Sequence, residues 1–393
     1  MKTIEQLDLK DQRVLIRVDF NVPLDGGIVG DNFRIRAALP TIQYCQQQGA
    51  AVILMSHLGR PKGQVDPLLT LMPVAEELQT LLKQDIIFSQ DCVSSHAVTV
   101  SQGLEPGKVH LLENLRFHAE EEANEQVFSA QLAKHGTVYV NDAFGTAHRA
   151  HASNVGVASH FDEKGIGFLM AKELQFLRDR LENPERPFIV VLGGAKVAGK
   201  LELIQQLIVK ADRLIIGGGM AFTFLRAKNQ PVGGSLVDES LLHEADIILQ
   251  QADAKQVDVF LPRDVVAADN VSGDAAWRVI PLEELEDDEI GVDIGPETCV
   301  EFGQALADAR TIFWNGPMGV FEYPTFQTGT EMIITAISDA TAEGAISVIG
   351  GGDSAAAIEK LSDPRYFTHI STGGGASLKL LSGGTLPALE ALT

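Results

Sequence analysis

Short uninterrupted apolar runs, each ending in a cluster of glycine or polar residues, recur along the whole chain and restrict the folds open to it. In the first half, Val14-Leu15-Ile16-Arg17-Val18 runs into Asp19-Phe20-Asn21, and Ala51-Val52-Ile53-Leu54-Met55 into Ser56-His57-Leu58-Gly59-Arg60. Val109-His110-Leu111-Leu112 precedes Glu113-Asn114-Leu115-Arg116, and Val138-Tyr139-Val140 precedes Asn141-Asp142 and the stretch 145–153. The second half repeats the scheme with glycines. Phe188–Leu192 leads to Gly193-Gly194-Ala195-Lys196, Arg213–Ile216 to Gly217-Gly218-Gly219, and Thr311–Trp314 to Asn315-Gly316-Pro317. Ile346–Ile349 leads to Gly350-Gly351-Gly352-Asp353, and His369-Ile370-Ser371 to Thr372-Gly373-Gly374-Gly375. Continuous rather than alternating apolar runs are those of strands covered by helices on both faces of a parallel sheet. Ligands of such sheets bind at the carboxyl ends of the strands, where these clusters fall.

At 393 residues the chain exceeds one ordinary domain, so two lobes are expected. The fold class that follows is α/β: two Rossmann-like three-layer α/β/α lobes, each with a mainly parallel sheet. Between the halves, 168–182 reads as one amphipathic helix with Leu169, Leu174, Leu177 and Leu181 near helical spacing, stopped by Asn183-Pro184 and Arg186-Pro187. The expected division is 1–167, a connecting helix 168–186, and 187–379, with a tail of about 380–393. A composition of 45% hydrophobic and 21% charged residues allows a sizeable core. Cys45, Cys92 and Cys299 are too few and too far apart for a disulfide framework or a metal cluster. The net charge of −22 repels nucleic acid and anionic membrane, so neither is an expected partner. The first residues lack the basic stretch and apolar core of a signal peptide, and a cytoplasmic protein is expected.

With such a surface, an anionic substrate must be captured by locally concentrated positive charge. The strand-end segments of the first half carry it: Arg34, His57, Arg60, Arg116, His148, Arg149 and His151. Arginine forks hold a carboxylate or phosphate through paired hydrogen bonds, and several at successive strand ends would converge on a compact polyanion. Asp19 and Asn21, set among these cations, would meet a substrate hydroxyl or orient the arginines.

The second half points to a nucleotide. Gly194 to Lys200 has the outline of a phosphate-binding loop, but Leu201 stands where that motif needs Ser or Thr for magnesium. What survives is backbone N–H groups freed by glycine, a helix start, and the two lysines Lys196 and Lys200. Gly350 to Ala355 fits a dinucleotide pattern by letters. There Asp353 would oppose a pyrophosphate, and it reads better as a Mg²⁺ ligand. Two other readings stand on the residues alone: an anion-binding protein without catalysis, which has no use for the lysines, and an NAD-dependent dehydrogenase, which draws only on the Gly350 pattern. Motifs of covalent or general-base catalysis are missing, whereas phosphoryl transfer needs mainly positioning and charge neutralisation.

These segments resemble one family, the phosphoglycerate kinases. The matching stretches are 17–23, Ser56-His57-Leu58-Gly59-Arg60-Pro61, 113–117, Asn141-Asp142-Ala143-Phe144, Ala147-His148-Arg149, 193–197, 217–221, 314–322, 350–354 and 371–375, in order. The resemblance implies reversible phosphoryl transfer between 1,3-bisphosphoglycerate and ADP by a monomer, giving 3-phosphoglycerate and ATP. It implies that Asp19, Asn21, Arg34, His57, Leu58, Gly59, Arg60, Arg116 and Arg149 hold the phosphoglycerate. Lys200, Gly217, Gly218, Asn315, Glu322, Gly350, Gly351, Gly352, Asp353 and Ser354 would hold the nucleotide, with Asp353 on its Mg²⁺. Arg34 and Lys196 would flank the phosphoryl group in flight, helped by amides of Gly373, Gly374 and Gly375. It further implies hinge bending at the connecting helix and a C-terminal tail that returns to the first lobe. Gly199 departs from the family's usual acidic or small polar residue in the lysine loop.

Overall fold

The apolar runs become the central strands of two parallel sheets in the computed structural model, which describes residues 1–393. Contacts divide the chain into Met1–Gln175 with Thr385–Thr393, and Phe176–Gly384.

The first unit holds a seven-stranded sheet: β1 (Lys2–Thr3), β2 (Arg13–Arg17), β3 (Ala51–Met55), β4 (Ile86–Ser89), β5 (Val109–Leu112), β6 (Val138–Asn141) and β7 (Lys164–Ile166), in the order β1-β7-β6-β2-β3-β5-β4. Every residue of β3 is buried. Burying a Val, Leu or Ile side chain is worth about 1.5–3 kcal/mol, against about 0.5–1.5 kcal/mol net for a hydrogen bond. Side-chain burial therefore outweighs the hydrogen-bond ladder, which is why the apolar pattern alone marks these strands. Register then decides the function of their ends. Arg17 pairs with Met55 on one side and Asn141 on the other, so three loops start level and side by side.

The second unit contains β8 (Phe188–Leu192), β9 (Arg213–Ile216), β10 (Asp258–Phe260), β11 (Asp264–Ala268), β12 (Trp277–Pro281), β13 (Ile290–Ile294), β14 (Thr311–Asn315), β15 (Ile346–Gly350) and β16 (His369–Ile370). Six of them form a parallel sheet in the order β10-β9-β8-β14-β15-β16. Leu192 pairs with Ile216 and Asn315, and Asn315 with Gly350, so the glycine turns after four strands also start level. An antiparallel sheet β12-β11-β13 stands beside this one, which the expectation of mainly parallel sheets did not include.

The helix expected over 168–182 runs its full length, α-helical over Phe168–Leu174 and again at 181–182. Residues Gln175–Arg180 form a π-turn, and the division between the units falls inside it. Leu174, Leu177 and Leu181 remain buried through the wider turn. Asp142, at the end of β6, accepts the Met170 N–H at 3.0 Å and so caps the start of this helix. At the other terminus, the Ala388 N–H donates to the Ala147 carbonyl at 3.2 Å, which ties the last residues to the first unit. No helix is long and apolar enough to cross a membrane.

A buried polar network braces the first unit. Ser101 Oγ lies 2.6 Å from His135 Nδ1 and 2.9 Å from His110 Nδ1. Ser89 Oγ is 2.8 Å from His110 Nε2, and His135 Nε2 is 2.9 Å from the Cys92 carbonyl. The carbonyl requires a proton on His135 Nε2, so the Ser101 hydroxyl donates to His135 Nδ1, His110 Nδ1 donates to Ser101, and Ser89 donates to His110 Nε2. An added proton breaks this chain of bonds, and burial pushes both imidazoles down to about 4. Because the unfolded side chains titrate at 6.5, the unfolded chain takes up these protons first as pH falls from about 6.5 to about 4. Each histidine then removes up to about 1.4 kcal/mol of stability per pH unit in that window. His135→Gln is expected to lower stability at pH 7 yet to flatten its decline between pH 6.5 and 4.5 by up to that amount. Urea unfolding at successive pH values measures this, and an unchanged slope refutes it.

Candidate active site

In the first unit, the loops after β2, β3 and β5 interlock. Asn21 Oδ1 accepts the Gly59 N–H at 2.9 Å, and Arg116 Nη1 donates to the Gly59 carbonyl at 2.7 Å. Asn114 holds Leu58 at both ends, accepting its N–H at 3.1 Å and donating to its carbonyl at 2.7 Å. Asp19, almost fully buried, accepts from Arg34 Nη1 at 2.9 Å. The backbone of 57–59 is thus fixed by side chains from the neighbouring strand ends, with Arg60 exposed at the next position. Arg149 is half-buried, its Nε 3.3 Å from His148 Nε2.

Beneath them sits Arg17, fully buried and absent from the expected site. Its Nε donates to Ser153 Oγ at 2.7 Å, its Nη1 donates to the Val18 carbonyl, and its Nη2 lies 3.3 Å from His57 Nδ1. Glu121, also buried, accepts from Ser153 Oγ at 2.6 Å and from the Ser153 N–H at 2.9 Å. An arginine only donates, so His57 presents Nδ1 to it as an acceptor and carries its proton on Nε2. Burial, reinforced by the guanidinium groups of Arg17, Arg116 and Arg34, holds the His57 imidazole well below its ordinary value and neutral. Burial and the charges of Arg116, Arg17 and Arg149 push His151 down to about 4. The guanidinium groups, not the imidazoles, therefore carry the positive charge of this basin on a protein of charge −22. Arg17 occupies a strand position, where a charged residue in an apolar run signals a buried partner; the sequence does not say which one.

In the second unit, the level glycine turns let two strand ends cross closely. The Gly194 N–H donates to the Pro317 carbonyl at 2.7 Å. A Cβ on Gly193 would lie 2.2 Å from that oxygen, and Gly316, at φ +101°, has Gly193 at a similar distance. Lys200 Nζ donates to the Gly193 and Asn315 carbonyls, the latter at 3.1 Å. Burial pushes its ammonium down to about 8, with the Asp353 carboxylate opposing. Lys196, in the same loop, is exposed.

Asn315 Nδ2 is buried and has no hydrogen-bond partner. It faces the turn at Gly350 and Gly351, where added Cβ atoms would stand 3.2 and 3.0 Å away. Gly351 adopts φ +91°, a conformation that favours glycine, and starts the helix Gly352–Leu361 with Asp353 exposed in its first turn. Ser354 turns inward, accepting the Gly316 N–H at 2.6 Å. The helix Gly374–Leu381 begins beside it, the Cβ direction of Gly374 ending 3.9 Å from the Gly352 nitrogen. Helix N-termini and an orphaned amide together favour an anion. No group of three or more His, Cys, Asp or Glu side chains gathers as a metal cage. A single exposed carboxylate at a phosphate-type turn fits Mg²⁺ that takes its other ligands from phosphate and water.

A cleft of about 300 Å³ opens beside these turns, lined by Gly194, Gly218 and Gly219, by Gly291 to Ile294 of β13, and by Pro317 to Glu322. Gly217 lies buried behind Met318, so Gly218 and Gly219 form that wall. Phe222, Val265 and Met318 make the interior apolar, suited to a flat ring. The β13 wall was not among the expected residues; Gly291-Val292-Asp293 carries no glycine triplet or lysine to mark it. Burial pushes its Asp293 up to about 7, and that carboxyl accepts the Gly329 N–H at 2.7 Å.

The phosphoglycerate kinase family profile matches residues 4–384. A phosphoglycerate kinase of Moorella thermoacetica is 51% identical over 391 residues, covering 100% of this chain and 98% of that one. One of Rippkaea orientalis is 50% identical over 385 residues, 98% and 96% of the two chains. Among solved structures, phosphoglycerate kinase from Coxiella burnetii superposes with a TM-score of 0.87 at 38% identity, covering 100% of this chain and 98% of that one. That from Pyrococcus horikoshii OT3 gives 0.88 at 34% identity with the same coverage. With identity this high over nearly its full length, the chain belongs to the phosphoglycerate kinase family.

Proposed function

We propose that the protein transfers a phosphoryl group reversibly and with Mg²⁺ from 1,3-bisphosphoglycerate to ADP, giving 3-phosphoglycerate and ATP. The observation that carries this reading is the buried, unpartnered Asn315 amide at a glycine turn, on the same chain as a separate arginine-lined basin. One site seeks a polyphosphate beside an apolar cleft, the other a compact polyanion.

In this reading Asp19, Asn21, Arg34, His57, Arg60, Arg116 and Arg149 bind the phosphoglycerate, with the backbone of Leu58 and Gly59 shaping the basin. The His57 Nε2–H is its donor to a substrate oxygen. The nucleotide base enters the cleft, Glu322 accepts from ribose hydroxyls because a carboxylate is repelled by phosphate, and Lys200, Asn315 and the Gly350–Gly352 turn take the phosphates. Asp353 holds Mg²⁺, which when bound neutralises phosphate charge. Arg34, Lys196 and the amides of Gly373 to Gly375 stabilise the phosphoryl group between donor and acceptor. The acceptor is a carboxylate or a nucleoside diphosphate, already ionised, so no general base is needed.

Reacting atoms must approach to about 3–3.5 Å. Since the residues assigned to the two substrates belong to different units, the reaction is proposed to require closure at the helix 168–186, which also excludes water from an acyl phosphate. The protein is taken to act as a cytoplasmic monomer in glycolysis and gluconeogenesis.

Purified protein given ADP, Mg²⁺ and 1,3-bisphosphoglycerate is expected to form ATP; none from folded protein overturns the reading. Lys196→Ala is expected to lower kcat by roughly 10²–10³ with smaller effects on KM, since the lysine acts mainly on the transition state. Near-normal turnover would remove Lys196 from the mechanism. Lys200 is protonated below about 8 and loses its charge above that pH. Nucleotide KM is therefore expected to rise as pH passes about 8, and Lys200→Met to be weaker throughout but without that rise. A parallel pH profile in the variant counts against the assignment.

A further inference from the structure

Lys360 is the penultimate residue of the helix Gly352–Leu361, at the opposite end of that helix from Asp353. Its Nζ donates to two consecutive backbone carbonyls, Phe321 at 2.7 Å and Glu322 at 2.9 Å, and lies 5.9 Å from the Phe321 ring centroid. No backbone N–H donates to either carbonyl. Phe321 and Glu322 sit in a turn outside any helix or strand, and both line the nucleotide cleft together with Asp353.

Helix geometry gives this contact its meaning. Asp353 and Lys360 are seven residues apart, about two turns, so they project from the same side of the helix. Its first turn presents Asp353 and the glycine amides to the phosphate end of the cleft, and its last turn grips the segment that carries Glu322. A lysine at a helix C-terminus is also favoured by the helix dipole. We infer that Lys360 is a positioning residue that fixes the Phe321–Glu322 turn, and thereby sets where the Glu322 carboxylate meets the nucleotide's ribose. The inference rests on Glu322 being a nucleotide ligand. A flexible carboxylate beside an anionic ligand is a liability, because each orientation that misses the hydroxyls brings it nearer to phosphate. Two charge-assisted bonds to its own backbone and its neighbour's remove that freedom. The effect falls on nucleotide binding and not on the chemical step, which Lys360 does not touch.

Lys360 is an exposed residue, so Lys360→Ala, Lys360→Arg, Glu322→Ala and the double variant are all suitable, with thermal melts to verify folding. The readouts are KM for ATP, KM for 3-phosphoglycerate, kcat, and competitive inhibition by inorganic tripolyphosphate, which has no ribose. Lys360→Ala is expected to raise KM for ATP about tenfold, the scale of a lost charged hydrogen bond. Its kcat, its KM for 3-phosphoglycerate and its tripolyphosphate inhibition are expected within about twofold of the parent. Lys360→Arg is expected to recover much of the loss, and the double variant to be no worse than Glu322→Ala. An unchanged KM for ATP in Lys360→Ala overturns the inference, as does a loss that adds to that of Glu322→Ala or weakens tripolyphosphate equally. If Glu322→Ala itself leaves KM for ATP unchanged, the reading of Glu322 fails first, and the inference with it.

Discussion

Asn315 is the register partner of both Leu192 and Gly350, and most of the geometry of the glycine turns follows from that alignment. Parallel strands that end level must release their chains at the same height, and three of them turn within van der Waals reach of one another. Only residues without a Cβ fit there: Gly193 and Gly316 would each place one against the other's backbone. Lys200 joins this crossing, its ammonium donating to the Gly193 and Asn315 carbonyls, while the Asn315 side-chain amide is left without an acceptor. A buried donor without a partner costs about 1–3 kcal/mol. That unpaired donor stands at the turn proposed to receive phosphate.

The first unit handles charge differently. Three of its guanidinium groups, those of Arg34, Arg116 and Arg17, are immobilised by Asp19, by the Gly59 and Val18 carbonyls, and by Ser153 with Glu121 below, so these three are not free surface arginines. Binding such a basin does not require ordering several long side chains at once, a cost of about 0.5–1.5 kcal/mol for each. The strongly acidic remainder of the surface makes the contrast in potential larger, which favours a small anion able to enter the basin over a nucleic acid or membrane that must approach the whole surface.

Much of this was legible in the chain, for a physical reason. Burial of strand side chains dominates the local energetics, so uninterrupted apolar runs such as Phe188–Leu192 and Thr311–Asn315 reveal both sheets and where their strands end. Arg34, Arg116, Lys200 and the Gly350 turn stand out by residue type. Residues that act through geometry did not stand out. Arg17 hides in an apolar run, the β13 wall has an ordinary composition, and Lys360 lies in a helix end where a lysine needs no special explanation. The helix over 168–182 was visible as an amphipathic pattern, but its π-turn was not, since one extra backbone residue per turn leaves no mark on Leu174, Leu177 and Leu181.

By itself the sequence determined the α/β class, the strand ends where glycine and polar clusters fall, and the family, because burial periodicity and ordered motifs are local properties of the chain. Tertiary structure alone decided which ends stand level, that His57 is held neutral with its proton on Nε2, that Ser354 faces inward and Gly217 lies behind Met318, and that an antiparallel sheet supplies a wall of the cleft. Those outcomes depend on register and on contacts between residues tens to hundreds of positions apart, such as Arg17 with Ser153 and Lys200 with Asn315. No local pattern encodes such pairings; they exist only once the strands have paired.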